Sequence, residues 1–140
     1  MKKFRVLLLL ILFAYSCSSY KLKFGPTSPD SANKISKSFK FLKPDQLFLS
    51  FTKGFHQTKI KVVENGTKIF DSIISTDERH IAKSLKVNVN SSLIISFENQ
   101  EKPLFISKTQ MNNYKFIWIE KKWNKYVVEF YNGTKDLGGK

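Results

Sequence analysis

From Gln46 to Asn132 the chain runs in short stretches rich in Val, Ile, Phe, Tyr and Thr, each ended by Asn, Gly, Asp or Pro. The breaks recur at intervals of about 8–12 residues, the rhythm of an all-β sandwich or barrel. Strands are predicted over 46–52, 57–64, 67–75, 81–89, 92–99, 104–109, 114–121 and 125–132. Side chains on a strand point alternately to its two faces. The sets Leu47/Leu49/Phe51, Leu93/Ile95/Phe97, Tyr114/Phe116/Trp118 and Tyr126/Val128/Phe130 therefore each mark a core face. Ile117 and Ile119 break the pattern, which predicts a strand that is central or covered on both faces.

Turn chemistry agrees with this division. Asn65-Gly66 is the strongest short hairpin signal, because a type I′ turn needs positive φ at both central residues. Lys53-Gly54, Asn112-Asn113 and Trp123-Asn124 are predicted to end the neighbouring strands, and Pro103 opens one where its missing N–H costs little. The expected fold is an immunoglobulin-like sandwich of about 7–8 antiparallel strands over 46–135, followed by a tail over 136–140. An OB-like small barrel is the alternative. No cysteine pair falls in this region, so the core must hold through Phe, Ile and Val.

The front of the chain has another texture. Lys2, Lys3 and Arg5 precede nine apolar residues, Val6 to Ala14. A transmembrane helix needs about 20 such residues, whereas a basic leader and a short apolar core mark a secretory signal peptide. Ala14-Tyr15-Ser16-Cys17 resembles a bacterial lipobox, with Ala14 where many such motifs carry Leu. The resemblance implies a bacterial lipoprotein. Residues 1–16 would be removed, and Cys17, the sole cysteine of the chain, would become the acylated first residue. Two or more acyl chains hold a protein stably on a membrane where one does not. Residues 17–45 then read as a lipidated N-terminus and flexible basic tether, with a short helix around 31–41. Phe39, Phe41 and Leu42 are expected to dock on the domain.

The net charge of +13 falls to +10 if the leader is lost, and Arg79 is then the only arginine. Such a field attracts anionic partners. Lysine lacks the two-pronged donor set that phosphate and base readout prefers, so nucleic acid is disfavoured. Export also argues against it. Three Asn-x-Ser/Thr matches, at Asn65, Asn90 and Asn132, are explained by turn chemistry and a composition rich in Asn, Ser and Thr.

Catalytic signatures are sparse. There is no Gly-x-Ser-x-Gly elbow, and His56 and His80 are the only candidate bases. Asp77-Glu78-Arg79-His80 offers two ligands where zinc needs three or four, with Arg79 opposing a cation. Glu120 and Glu129 lie on neighbouring strands and read as solvent-face charge pairs. The reading is therefore non-enzymatic, with no cofactor and no metal. Phe55, Trp123, Lys121, Lys122, Lys125 and Tyr131 are the candidate binding surface, since loop aromatics flanked by lysines can stack on sugar rings or anchor an interface. The expected partners are the membrane through the Cys17 lipid, and an envelope protein complex or an anionic envelope glycan. The expected location is the bacterial cell envelope.

Overall fold

The computed structural model describes residues 19–26 and 42–132. The leader, Cys17, the helix expected around 31–41 with Phe39 and Phe41, and everything after Asn132 lie outside the described residues. Nine strands are present among them: β1 Tyr20–Phe24, β2 Gln46–Phe51, β3 Thr58–Glu64, β4 Thr67–Ile74, β5 Lys83–Asn88, β6 Leu93–Phe97, β7 Leu104–Ile106, β8 Phe116–Lys122 and β9 Lys125–Tyr131. One short helix, α1, spans Lys108–Met111.

The strands form two sheets, ordered β1-β9-β8-β2-β5 and β4-β3-β6-β7. The molecule is an all-β sandwich, and the barrel alternative does not describe it. Two pairings are parallel where antiparallel ones were expected: β1 with β9 and β2 with β8. The first and last strands of the described chain are thus neighbours.

Each sheet turns one face inward. Leu47, Leu49 and Phe51 from the larger sheet meet Ile60, Val62, Leu93 and Ile95 from the smaller, all fully buried. Across the gap the rings of Phe97 and Tyr126 stack with centroids 3.9 Å apart. These contacts exclude water from the middle of the molecule, and that burial is its main stabilising term.

Three local outcomes differ from the sequence reading. The stretch assigned to the tether holds β1, which pairs residue for residue with β9 from Tyr20↔Tyr126 to Phe24↔Phe130. Tyr20 donates from its hydroxyl to the Lys102 carbonyl at 2.5 Å, and the Tyr114 hydroxyl donates to the Gly25 carbonyl at 2.9 Å. Of the expected dockers, Leu42 is buried.

On β8 the inward face is Ile117 and Ile119, both fully buried, and not Phe116 and Trp118. Phe116 and Trp118 turn outward beside Tyr131, with ring centroids 5.5 and 5.1 Å away. Where both faces of a strand are apolar, period two cannot say which set faces in. A one-residue error in phase reverses every side chain. The central position expected for β8 is where the sheet order puts it.

The strand expected over 104–109 stops at Ile106 because Ser107 caps a helix. Its hydroxyl accepts from the Gln110 N–H at 3.3 Å, and its own N–H donates to the Gln110 side chain at 2.8 Å. That reciprocal pair is a capping box, readable as Ser-x-x-Gln. The Asn65-Gly66 turn has φ of +46° and +80°, as the hairpin chemistry requires. The Asn65 side chain is spent locally, accepting from the Ser92 N–H at 2.9 Å.

Candidate functional site at the tip of the β8–β9 hairpin

β8 and β9 are joined by Trp123-Asn124, and Lys122 and Lys125 face each other directly across the base of this turn. Like charges in that register repel. Trp123 takes φ of +57°, the left-handed region that favours Gly or Asn. Its side chain is 96% exposed. A tip this strained, this apolar and this charged is not what packing alone would select.

β1 brings two further cations to the same place. Successive residues alternate faces, so Lys21 and Lys23 point outward while Tyr20 packs against the core. Lys21 stands opposite Val127 and Lys23 opposite Glu129. Lys21, Lys23, Lys122, Trp123, Asn124, Lys125 and Val127 line a shallow cleft of about 360 Å³. Val127 is its apolar floor, the indole one rim, and four ammonium groups surround it.

Two of those charges are partly neutralised. Lys23 lies 3.2 Å from Glu129, and Lys122 lies 3.3 Å from Glu120. Glu120 and Glu129 therefore serve as the solvent-face partners that the sequence suggested. Lys21 and Lys125 form no ion pair among the described residues, so a net positive field remains at the cleft. It can hold a flat or apolar group against Val127 and Trp123 while the ammonium groups meet an anion.

No protein-family model matches this chain, and no curated protein matches it.

The predicted surface divides into residues that gather here and residues that do not. Trp123, Lys122 and Lys125 share the cleft. Lys121 does not, because it pairs with inward-facing Tyr126 and so belongs to the opposite face of the hairpin. Its backbone runs so close to Gly54 that a Cβ there would meet the Lys121 carbonyl oxygen at 2.1 Å.

Phe55 is fully buried, which overturns its place on a binding surface. Gly54 at φ +85° turns the chain back, and the ring wedges edge-on against Phe51 at 5.8 Å. The Phe55 N–H is held by the Thr76 hydroxyl at 3.1 Å.

Tyr131 also lies elsewhere. It lies six positions beyond Lys125 along extended strand, about 20 Å at 3.3 Å per residue. It packs on Phe116 and Trp118 at the far end of the sheet. Burial pushes its hydroxyl pKa far above the ordinary tyrosine value. Cys17 lies outside the described residues.

Lys21 and Lys23 fall within 17–45, the stretch whose prolines and serines read as a tether. The signal was present: Tyr20-Lys21-Leu22-Lys23-Phe24 alternates apolar and basic over five residues, a strand pattern in miniature. The Asp77 loop proves to be self-contained. Its carboxylate accepts from the Arg79 and Ile81 N–H groups at 2.9 and 3.1 Å and from the Arg79 guanidinium at 2.7 Å. The Arg79 bond, foremost, holds the Asp77 pKa below the usual carboxylate range. His56 and His80 are both exposed.

Proposed function

We propose that this chain is a lipid-anchored protein of the bacterial envelope that acts by binding, with the cleft at the β8–β9 tip as its anion-binding surface. The observation that carries the binding reading is Trp123, 96% exposed at φ +57°. It stands among lysines from three strands, β1, β8 and β9. An exposed apolar residue in a strained backbone conformation is the kind of local sacrifice that accompanies function. The anchor rests on the lipobox resemblance at Ala14-Tyr15-Ser16-Cys17.

Two measurements test the two halves. Mass spectrometry of native protein should find Cys17 acylated at the first residue, and Cys17→Ala should release the protein from membranes or block its maturation. An unmodified thiol would end the anchor reading. For the surface, Lys21→Glu combined with Lys125→Glu should weaken retention on an immobilised polyanion several-fold. The double change Lys59→Glu with Lys61→Glu, on the smaller sheet, alters net charge equally. Equal losses from both pairs would assign the attraction to overall charge and remove the tip as a site.

A further inference from the structure

The expected tether would have let the domain swing freely beneath its anchor, but β1 leaves almost no slack at that end. The Tyr126 N–H donates to the Ser19 carbonyl at 2.9 Å, so Ser19 is fixed to the start of β9, one residue past Lys125. Cys17 lies two residues upstream, within about 7 Å of chain. A lipid on Cys17 would therefore be tethered within that short reach of Ser19, at the end of the sheet that carries the lysine cleft. Consistently, Lys21 and Lys23 on β1 line that cleft together with Lys122 and Lys125.

We infer that the β8–β9 tip docks on the anionic phospholipid headgroups of the membrane that holds the protein, fixing the orientation of the sandwich. This deepens the proposed function and rests on its anchor reading. Two observations favour a lipid surface over a glycan. The first is position: the tip shares its end of the sheet with Ser19, which is two residues from the cysteine that the anchor reading acylates, so the tip is held toward its own bilayer rather than toward a distant polymer. The second is chemistry. Indole, apolar in body with a polar N–H, concentrates at the headgroup level of bilayers. Lysines beside it are drawn to anionic lipid over a Debye length of about 10 Å. In this pose Trp123 enters the interface, Lys21 and Lys125 meet phosphate oxygens, and β5, at the other edge of the sheet, stays away from the lipid.

The test uses the native lipidated protein with Trp118→Phe, so that Trp123 is the only indole left to report. It is reconstituted in vesicles of phosphatidylcholine, with or without phosphatidylglycerol. With phosphatidylglycerol present, Trp123 emission should shift to shorter wavelength, and lipids brominated near the headgroup should quench it at least two-fold. Added salt, or Lys21→Glu with Lys125→Glu, should reverse most of that change while the protein stays vesicle-bound through its lipid. Acylated protein whose Trp123 emission stays that of water-exposed indole on both vesicles would overturn the docking and leave the anchor standing. An unacylated Cys17 would overturn both. Emission that responds to soluble poly(glycerol phosphate) but not to vesicles would reassign the cleft to an anionic glycan.

Discussion

At position 123 a hydrogen atom in place of indole would relieve backbone strain and take a fully exposed apolar surface out of water. A left-handed φ costs a non-glycine residue about 1–2 kcal/mol, and glycine gives back about 0.5–1 kcal/mol through its floppier unfolded chain. Trp123→Gly should therefore raise stability by about 0.5–1 kcal/mol, read as a higher denaturant midpoint, while weakening polyanion retention. A variant that loses both stability and retention would mean that the indole packs, contrary to its 96% exposure. Phe55 predicts the opposite behaviour. Its ring is fully buried beside Phe51 and Tyr126, with centroids 5.8 and 6.1 Å away. Phe55→Ala should cost about 3–5 kcal/mol in equilibrium unfolding and leave the cleft untouched in the variant that still folds. The two residues look alike in sequence, an aromatic beside a turn residue flanked by lysine. What separates them is which way the turn throws the side chain, and that depends on a partner strand far along the chain.

At the scale of elements, the strands β2 to β9 were legible because alternation and turn residues are local signals. Their pairing was not. Asn65-Gly66 announces the β3–β4 hairpin, but nothing near Leu49 announces its neighbour Ile117, 68 positions on. β1 was hidden by context: its alternation is short, and prolines and serines follow it closely. The candidate site suffered accordingly, since half its lysines sit on the strand that was missed. Gly54 shows an element boundary set by another element. Its φ of +85° favours glycine, and the Lys121 carbonyl leaves no room for a Cβ at 2.1 Å. Gly54→Ala should destabilise the domain by about 2 kcal/mol or more, because backbone on both sides must move. Thermal unfolding measures this, and Gly66→Ala provides the comparison. At Gly66 φ is also positive, +80°, but a Cβ meets nothing within 4 Å, so strain acts alone and the loss should be smaller.

For the molecule as a whole, closing the sandwich buries several titratable groups. The hydroxyls of Tyr126 and Tyr131 are buried and have no hydrogen-bond partner among the described residues. Burial raises both pKa values, that of Tyr126 to about 12, and also raises that of Tyr20. Lys115 is shifted the other way. Burial lowers its pKa, with Asp45 opposing, while its ammonium donates to the carbonyls of Pro44 and Gln46 and so ties the start of β2 to β8. A phenol whose folded pKa is raised by burial above its unfolded value of 10.0 leaves stability unchanged below that value and lowers it as pH climbs from there to about 12, where the unfolded chain ionises and the folded one does not. A lysine whose folded pKa lies below 10.5 penalises the fold at neutral pH, and the penalty lifts as pH approaches 10.5. Stability should therefore rise gently on the approach to that range and fall beyond it. Tyr126→Phe separates the two effects. Removing an unsatisfied buried hydroxyl should stabilise the protein by about 1 kcal/mol at neutral pH. The advantage over the native chain should then widen as pH passes from 10 to about 12, because only the native chain must ionise or unfold that phenol. Denaturant midpoints of both proteins across this range decide the matter. An advantage that stays constant with pH would show the Tyr126 hydroxyl to be hydrated, and the aromatic seam between the sheets to be open at that end.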